Sequence, residues 1–489
     1  EGLLACHREQ LEAVAGEIAF HYELAGMEEE AIAYYEKAAA AAEKIYANET
    51  RIRYYRKLLG LLPPERTLSV QLKLGDALIV TGDWNEAENS YKQWLERCGY
   101  SVPIKERSYC DVALGNCLQL LGKYEEAGFH LERASYRFKL ADDHDGLSFA
   151  YGTIGILHYF MGSYDKALRY LMDRMELTLS DHLTQQDVRF LGMIGFLHYD
   201  QSEYDQAIDW FHRQIALAKD IRDAYYVGEA MGGLALVYCE TDDMDLAYDR
   251  VVEKLEISKS IGARMGFAMG MGMLGKYYYL LASRPQAERC IAFCLEEAAR
   301  IQDWHIAAVV LGIGGCNLME QGQHEEACRW IERSARLTRR LRIPFFECEA
   351  LYYMSLLRER QNQIDGAAQA AEEALALAVR LNRRDLQVKL LARLPLLKTG
   401  LGRIGPGQAM DELRRLAERH AGEREQAAIR FAMWRLNPES PELRAAAASW
   451  NEALYRKSGK QEYYGRLREL GGEYPAPASR QLSKLAAEA

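Results

Sequence analysis

Two stretches forty residues apart carry the side chains in this sequence that most resemble a repeated chemical site. They are GILHYFMGSYDKALRYL, from Gly155 to Leu171, and GFLHYDQSEYDQAIDWF, from Gly195 to Phe211. Each contains a histidine, a tyrosine and an acid at matching places, and imidazole and carboxylate groups bind metals and carry protons. His158 and His198 therefore belong either to a repeated site or to a repeated fold.

Other copies of the same register favour the fold. They place leucine or tyrosine in the histidine position, at Leu118, Tyr238, Tyr278 and Leu318. A position that accepts leucine is typical of packing, and a metal site needs three or four converging donors, of which no third is evident. We interpret both histidines as packing residues and expect no metal site.

The remaining sequence motifs for catalysis are weak. GMGMLG, beginning at Gly270, and GLGRIG, beginning at Gly400, match the dinucleotide fingerprint by letter. Neither lies between a strand and a helix, the context that places the pyrophosphate on a helix N-terminus. Motifs for phosphate-binding loops, zinc proteases and serine hydrolases are absent from the sequence. We expect a chain that is not an enzyme and takes no cofactor.

Composition excludes further classes of protein. Of the 489 residues, 49% are hydrophobic, which is enough to bury a large core. No apolar run reaches the roughly 20 residues of a membrane-spanning helix, and no secretion signal begins the chain. The first 400 residues carry 46 Lys and Arg against 59 Asp and Glu, which argues against phosphate contacts. We expect no membrane association and no direct nucleic-acid binding.

The ten cysteines follow no disulfide framework. The closest pair, Cys290 and Cys294, has helical spacing inside an apolar stretch, where cysteine commonly acts as a small buried hydrophobe. We interpret these cysteines as buried thiols and expect a cytoplasmic protein.

A period of forty residues organises the chain. Stepping by forty from Ala167 gives eight alanines in eight places: Ala87, Ala127, Ala167, Ala207, Ala247, Ala287, Ala327 and Ala367. Twelve residues upstream runs a second ladder of small residues: Gly75, Gly115, Gly155, Gly195, Ala235, Gly275, Gly315 and Ser355. Small residues at fixed points mark close approach of two helices, so each unit is predicted to be an antiparallel helix pair.

A short polar break separates the two ladders in each unit. One position of this break holds residues that commonly accept the first backbone hydrogen bonds of a helix, namely Asp83, Ser163, Asp243 and Ser283. We predict that they are the N-caps of the second helices.

The spacing of small, aromatic and alanine positions resembles the tetratricopeptide repeat. It predicts an all-α chain, a tetratricopeptide-like α-solenoid forming a right-handed superhelix of helix pairs with a helical C-terminal cap. The predicted parts are N-terminal helical repeats over 1–66, eight forty-residue repeats over 67–394, and a linker, helical cap and tail over 395–489.

The first helix of each repeat should line the concave surface of such a solenoid. Placing the small ladder residue at position 8 of that helix predicts which side chains face inward. They are Asn116, Gln119, Tyr159, Phe160, Arg189, Tyr199, Asp200, Glu240, Lys276, Tyr279 and Glu320. These residues differ between repeats while the ladders do not, as expected where one set packs and the other contacts a partner.

Two end segments are similar to those of a known family. IAFHYELAGMEEEAIAYYEKAAAAAEKIYANETRIRYYRKLLGLLP and WNEALYRKSGKQEYYGRLRELGGEYPAP resemble the joining and closing segments of the repeats in bacterial signalling ATPases of the STAND type. Such ATPases often carry class III adenylate or guanylate cyclase or Ser/Thr kinase domains. The resemblance implies a sensor and scaffold region of a multidomain signalling ATPase. A chain beginning with Glu1 is also expected for part of a longer protein.

Two alternatives stay open. One is a free-standing tetratricopeptide adaptor that binds peptides in its concave groove, and the other is the effector-binding array of an ATPase-type transcriptional regulator. The expected partner is a protein or peptide, or the upstream ATPase module of the same chain.

Overall fold

The computed structural model describes residues 11–44, 47–81, 83–98, 102–177, 185–300 and 304–476. Within these ranges the chain forms twenty-four α-helices and a 3-10 turn at Pro64–Arg66. The first twelve helices are α1 (Leu11–Leu24), α2 (Glu28–Lys44), α3 (Asn48–Leu61), α4 (Leu68–Thr81), α5 (Trp84–Cys98), α6 (Ile104–Leu120), α7 (Tyr124–Leu140), α8 (His144–Phe160), α9 (Tyr164–Leu177), α10 (Gln185–Asp200), α11 (Tyr204–Asp220) and α12 (Ala224–Glu240).

The second twelve are α13 (Met244–Ser260), α14 (Arg264–Leu280), α15 (Arg284–Arg300), α16 (Trp304–Glu320), α17 (His324–Arg340), α18 (Pro344–Arg360), α19 (Ile364–Arg380), α20 (Arg384–Gly400), α21 (Pro406–Arg419), α22 (Glu423–Leu436), α23 (Pro441–Ser458) and α24 (Gln461–Glu469). From α4 to α20 the even-numbered helices are the first, or A, helices of the pairs and the odd-numbered ones are the B helices. The prediction of an all-α array of antiparallel helix pairs is confirmed.

The turns repeat every twenty residues. From residue 122 to residue 402, each twentieth position that the structure describes has a positive φ, and eight of these residues are not glycine. After α7, for example, the Asp143 amide donates to the Phe138 carbonyl and the Asp142 amide to the Lys139 carbonyl. This is the Schellman pattern, which satisfies the last carbonyls of a helix. The turns within and between repeats are therefore built alike.

The N-cap prediction is wrong at two positions. Asp243 follows the left-handed residue Asp242. The ψ angle of Asp243 is 64°, and its side chain makes no N-cap hydrogen bond. Its carboxylate accepts from the Thr241 hydroxyl at 2.8 Å instead, and the buried Ser283 hydroxyl has no partner among the described residues. The backbone of Asp243 is less extended than that of Asp223, which follows an equivalent turn with ψ 94° and accepts from the Tyr226 amide at 3.3 Å.

Both ladders of small residues lie in the core. All eight ladder alanines are fully buried. A Cβ added to Gly155 would lie 2.7 Å from Leu171, and one added to Gly315 would lie 2.5 Å from Ile331. Each glycine thus faces the residue sixteen positions later, on the B helix of its own repeat. The ladders mark the close approach within each pair, as predicted.

The chain divides into two compact units. Unit 1 contains the described residues of Glu1–Tyr159 and Asp165–Ser180, and unit 2 those of Phe160–Tyr164 and Asp181–Ala489. In unit 2 the A helices α10, α12, α14, α16 and α18 each contact the next, so they form a continuous inner layer. That layer carries most of the predicted concave-face residues.

The C-terminal helices of unit 2 depart from the repeat register. The helix α20 continues through Pro395 to Gly400, so the boundary predicted after Leu394 falls inside a helix. Beyond it, α22 packs against α20, and α23 and α24 follow in turn. A separate apolar cluster that includes Ala427, Leu454 and Leu467 holds α22, α23 and α24 together.

Candidate functional site

A partly buried ion pair lies on the inner layer of unit 2. The Lys276 ammonium on α14 donates to the Glu240 carboxylate at the end of α12, at 2.8 Å. Burial alone would raise the pKa of Glu240, but Lys276, Lys460 and Lys389 outweigh burial and hold this pKa well below its usual range. Burial lowers the pKa of Lys276, and Glu240 and Tyr199 outweigh it and raise the pKa. Both side chains therefore stay charged at neutral pH.

A second group of contacts on the same face is centred on Arg383. Arg383 is 6% exposed, and its guanidinium lies 3.7 Å from the ring centroid of Phe345 and donates to Glu349 at 3.1 Å. The Tyr199 ring is 6.3 Å from that of Phe345. Burial raises the pKa of Tyr199, so its phenol remains a hydrogen-bond donor.

The third cluster surrounds Glu320 at the end of α16. Its carboxylate accepts from Arg360 at 2.6 Å and lies 3.8 Å from Arg284. Arg284 also covers the Tyr279 ring at 5.6 Å from its centroid, and burial raises the pKa of Tyr279 well above its usual value. Cations, anions and neutral phenols thus alternate along the ends of successive A helices.

The C-terminal helices supply further members of this network. Lys460 lies 2.5 Å from the Asp242 carboxylate at the α12–α13 turn, and the Tyr463 hydroxyl donates to the same carboxylate at 3.1 Å. Gln461 donates to Glu320 at 2.9 Å, and Glu462 lies 3.8 Å from Lys389 on α20. The start of α24 therefore contacts groups from several repeats at once.

The structure brings together five of the eleven predicted residues. Tyr199, Glu240, Lys276, Tyr279 and Glu320 line the network described above. Tyr199 is only 8% exposed, so most of its ring packs against neighbouring side chains and little of it is available to a partner. The prediction that these residues bind a partner remains a prediction.

The other six residues lie elsewhere or are already engaged. Buried Gln119 in unit 1 donates to the Thr153 carbonyl at 3.0 Å, and buried Asp200 in unit 2 accepts from Tyr164 at 3.1 Å. Phe160 lies 6.5 Å from the His305 ring, centroid to centroid. Partly buried positions hold the other three residues, Asn116, Tyr159 and Arg189.

Several residues of the network are missing from the sequence prediction. Continuing the register of Arg189 by steps of forty reaches Glu349 and Lys389, and continuing that of Glu320 reaches Arg360. The repeat signal could therefore have found these three residues in the last A helices. It could not have found Lys460 or the rest of the α24 contacts, because α24 lies outside the repeat register.

The two repeated histidines are partly buried and contact neighbouring side chains. His158 stacks on Tyr170 with ring centroids 5.5 Å apart, and burial, Lys166 and Arg169 lower the pKa of His158. His198 shares a hydrogen bond with Glu203 at 2.8 Å. Over the described ranges, no three His, Cys, Asp or Glu side chains converge to hold a metal ion.

The network offers recognition chemistry. Its charges are paired across helices, and its phenols are protonated donors. Such groups can exchange their present partners for the backbone and charged side chains of a ligand. Among the described helices, none is long and apolar enough to cross a membrane.

Comparison with known proteins agrees with the repeat assignment. Residues 108–180 and 191–225 match family profiles described as tetratricopeptide repeat. The crystal structure of a Rap protein complexed with competence and sporulation factor is similar, with a TM-score of 0.50 and 14% identity, over 75% of this chain and 98% of that chain. At this identity the similarity shows the fold alone. No curated protein sequence matches the chain.

Proposed function

We propose that this chain is a non-catalytic tetratricopeptide scaffold whose inner A-helix face in unit 2 binds an extended segment of a protein or peptide partner. The observation that carries the proposal is the row of paired charges and phenols contributed by successive A helices, with the Lys276–Glu240 pair at its centre. Groups of both signs with protonated phenols match the chemistry of a peptide backbone with mixed side chains.

The spacing of the A helices supports an extended ligand. Packed helices lie about 8–10 Å apart, and an extended chain advances about 3.3 Å per residue. A bound peptide would therefore present about one side chain in three to each successive repeat. The Rap structure, which is complexed with competence and sporulation factor, supports ligand binding by an array of this fold.

We favour a free-standing adaptor over the regulatory region of a signalling ATPase. The tetratricopeptide matches and the Rap structure support peptide or protein binding, and neither bears on the cyclase-, kinase- or ATPase-linked interpretations. The regulatory region of a signalling ATPase remains a second candidate because of the two end segments that resemble that family. Sequence upstream of Glu1 in the gene discriminates the two, since only the second requires a phosphate-binding-loop ATPase there.

A peptide-selection experiment tests the proposed function. The full chain would be immobilised and exposed to a displayed library of random peptides, and enriched peptides would be measured against two variants by calorimetry. Lys276→Gln should weaken binding by roughly tenfold, because it removes a paired charge from the face. The matched control is Lys219→Gln on α11, where the lysine is exposed, and it should leave binding unchanged. Equal binding to both variants would contradict the proposal.

A further inference from the structure

The α12–α13 turn and the end of α16 form an acidic surface that is already occupied in this structure. We define this acidic site as Asp242, Asp243 and Glu320, and its occupant as the C-terminal segment, Lys457–Tyr463. Asp242 is 1% exposed, and its carboxylate receives both Lys460 at 2.5 Å and Tyr463 at 3.1 Å. Removing either partner would leave a deeply buried carboxylate without its compensating contact, which is costly.

The C-terminal segment contacts the acidic site through side chains that are three or four residues apart in the sequence. Lys457 donates to the Thr241 carbonyl at 3.0 Å and lies 3.5 Å from Asp243. One turn further along, Lys460 reaches Asp242 and Gln461 reaches Glu320. Tyr463 completes the pattern on Asp242. The recognised chemistry is therefore a cation, a second cation three residues later, and a tyrosine three residues after that.

The contacts of the C-terminal segment with the acidic site are polar, whereas its helices keep an apolar core of their own. Tyr463 and Leu467 belong to the cluster that joins α22, α23 and α24. The contacts with Asp242, Asp243 and Glu320 are ion pairs and hydrogen bonds. When the segment leaves as a unit, both partners of each ion pair regain water together, and this hydration offsets much of the attraction that is lost.

From this arrangement we propose that the C-terminal segment is an intramolecular ligand of the acidic site, and that a partner peptide with the same cation–cation–tyrosine pattern displaces it. The inference rests on the proposed function, because it names the chemistry of a partner for the same face. The segment reduces the apparent affinity for that partner to the intrinsic affinity multiplied by the fraction of molecules in which the site is uncovered.

The test uses the full chain and a synthetic peptide of residues 455–465, with hydrogen exchange measured by mass spectrometry. Lys460→Ala should speed exchange over 457–469 by roughly tenfold, because it removes the cation from buried Asp242. It should also raise the affinity for the peptide by a similar factor. The matched control is Arg456→Ala, directly before the segment, where the arginine is 77% exposed and pairs with Glu452, and it should change neither quantity.

Two further measurements keep the inference falsifiable. Tyr463→Phe removes a single hydrogen bond and should act in the same direction with a smaller effect, which covers the case in which Lys460→Ala fails to fold. A peptide carrying Lys460→Glu and Tyr463→Ala should not bind. Exchange that rises equally over the A helices of unit 2, or an exposed site that does not bind the 455–465 peptide, would overturn the inference.

The outcomes separate this inference from the proposed function. If library peptides bind the inner face and Lys460→Ala changes neither their affinity nor exchange over 457–469, the function stands and the inference falls. If neither library peptides nor the 455–465 peptide bind the chain with Lys460→Ala, the proposed function falls and the inference falls with it.

Discussion

Lys460, which directly precedes α24, forms an ion pair with Asp242 at the tip of the α12–α13 turn, with 2.5 Å between Nζ and Oδ1. Both side chains are almost completely excluded from solvent, at 7% and 1% exposed. Leaving either charge buried without the other costs several kcal/mol, on the order of 3–5. The position of the C-terminal helices is therefore coupled to a turn in the middle of the repeat array.

The first prediction concerns the loss of stability at low pH that Glu462 causes. Burial raises the pKa of Glu462, but Lys389, Arg466 and Lys460 outweigh burial and a smaller repulsion from Glu240, so this pKa falls to about 2. A carboxyl with a depressed pKa stabilises the fold above its unfolded value, about 4.3, and this contribution disappears as the pH falls towards 2. Denaturant unfolding of wild type and Glu462→Gln should therefore differ most near pH 6 and converge between pH 4 and 2. A constant difference would contradict the assignment.

The second prediction concerns the glycine ladder. Gly155→Ala places a Cβ 2.7 Å from Leu171 and 3.3 Å from the Ala167 carbonyl, so we expect a loss of about 1–3 kcal/mol from overpacking. The control is Gly60→Ala in α3, where no neighbouring atom lies within 4 Å of the added carbon. That variant should gain about 0.5–1 kcal/mol because alanine favours the helix. Urea unfolding measures both, and equal signs would refute the close-approach explanation.

The third prediction concerns a buried acid in unit 1. Asp111 on α6 is fully buried and accepts hydrogen bonds from His130 at 2.9 Å and Arg137 at 2.9 Å, and from Arg133. Burial raises the pKa of Asp111, while His130 and Arg133 outweigh burial and lower it. Asp111→Asn should therefore destabilise the chain by about 3 kcal/mol at neutral pH.

The matched control for Asp111 is Asp142→Asn, because the Asp142 side chain is 92% exposed and only 3.5 Å from His144. Asparagine also tolerates the positive φ at this position. The free energy of unfolding of Asp142→Asn, measured by thermal unfolding, should differ from that of wild type by less than about 0.5 kcal/mol. The Asp111→Asn effect should shrink only below the usual carboxyl pKa of about 3.9, since the native pKa is depressed. Equal losses in both variants would exclude the buried-charge explanation.

The fourth prediction concerns His158. Burial, Lys166 and Arg169 lower its pKa, so the folded chain favours the neutral ring and loses stability as the pH falls below the usual value of about 6.5. His158→Leu removes this pH dependence and an Nδ1 atom that is buried without a partner. We expect the variant to be as stable as wild type or up to about 1 kcal/mol more stable.

Thermal unfolding at pH 7.5 and 5.5 measures the effect of His158→Leu, with exposed His144→Leu as the control. Isothermal titration with zinc should show no difference between His158→Leu and wild type. Loss of zinc binding in a folded variant would restore the interpretation of His158 as a ligand.

The sequence predicted the fold further than it predicted the site. The alanine and glycine ladders were enough to place helix pairs, because a position that admits only a small residue in every copy must face a neighbouring backbone. The same register placed Glu240 and Lys276 on one face. It stopped short of Glu349, Arg360 and Lys389, although the forty-residue step continues to them. The N-cap prediction at Asp243 was wrong because its carboxylate accepts from the Thr241 hydroxyl instead of a backbone amide.

The sequence by itself determined the period, the helix pairs and the residues that pack them, because these depend on contacts within one repeat or between neighbours. Tertiary structure alone decided the partners of Asp242. The contact of Lys460 and Tyr463 with this residue depends on how much each repeat of unit 2 rotates on the one before, summed over several repeats. That rotation arises from the packing of whole side chains, and no local pattern encodes it.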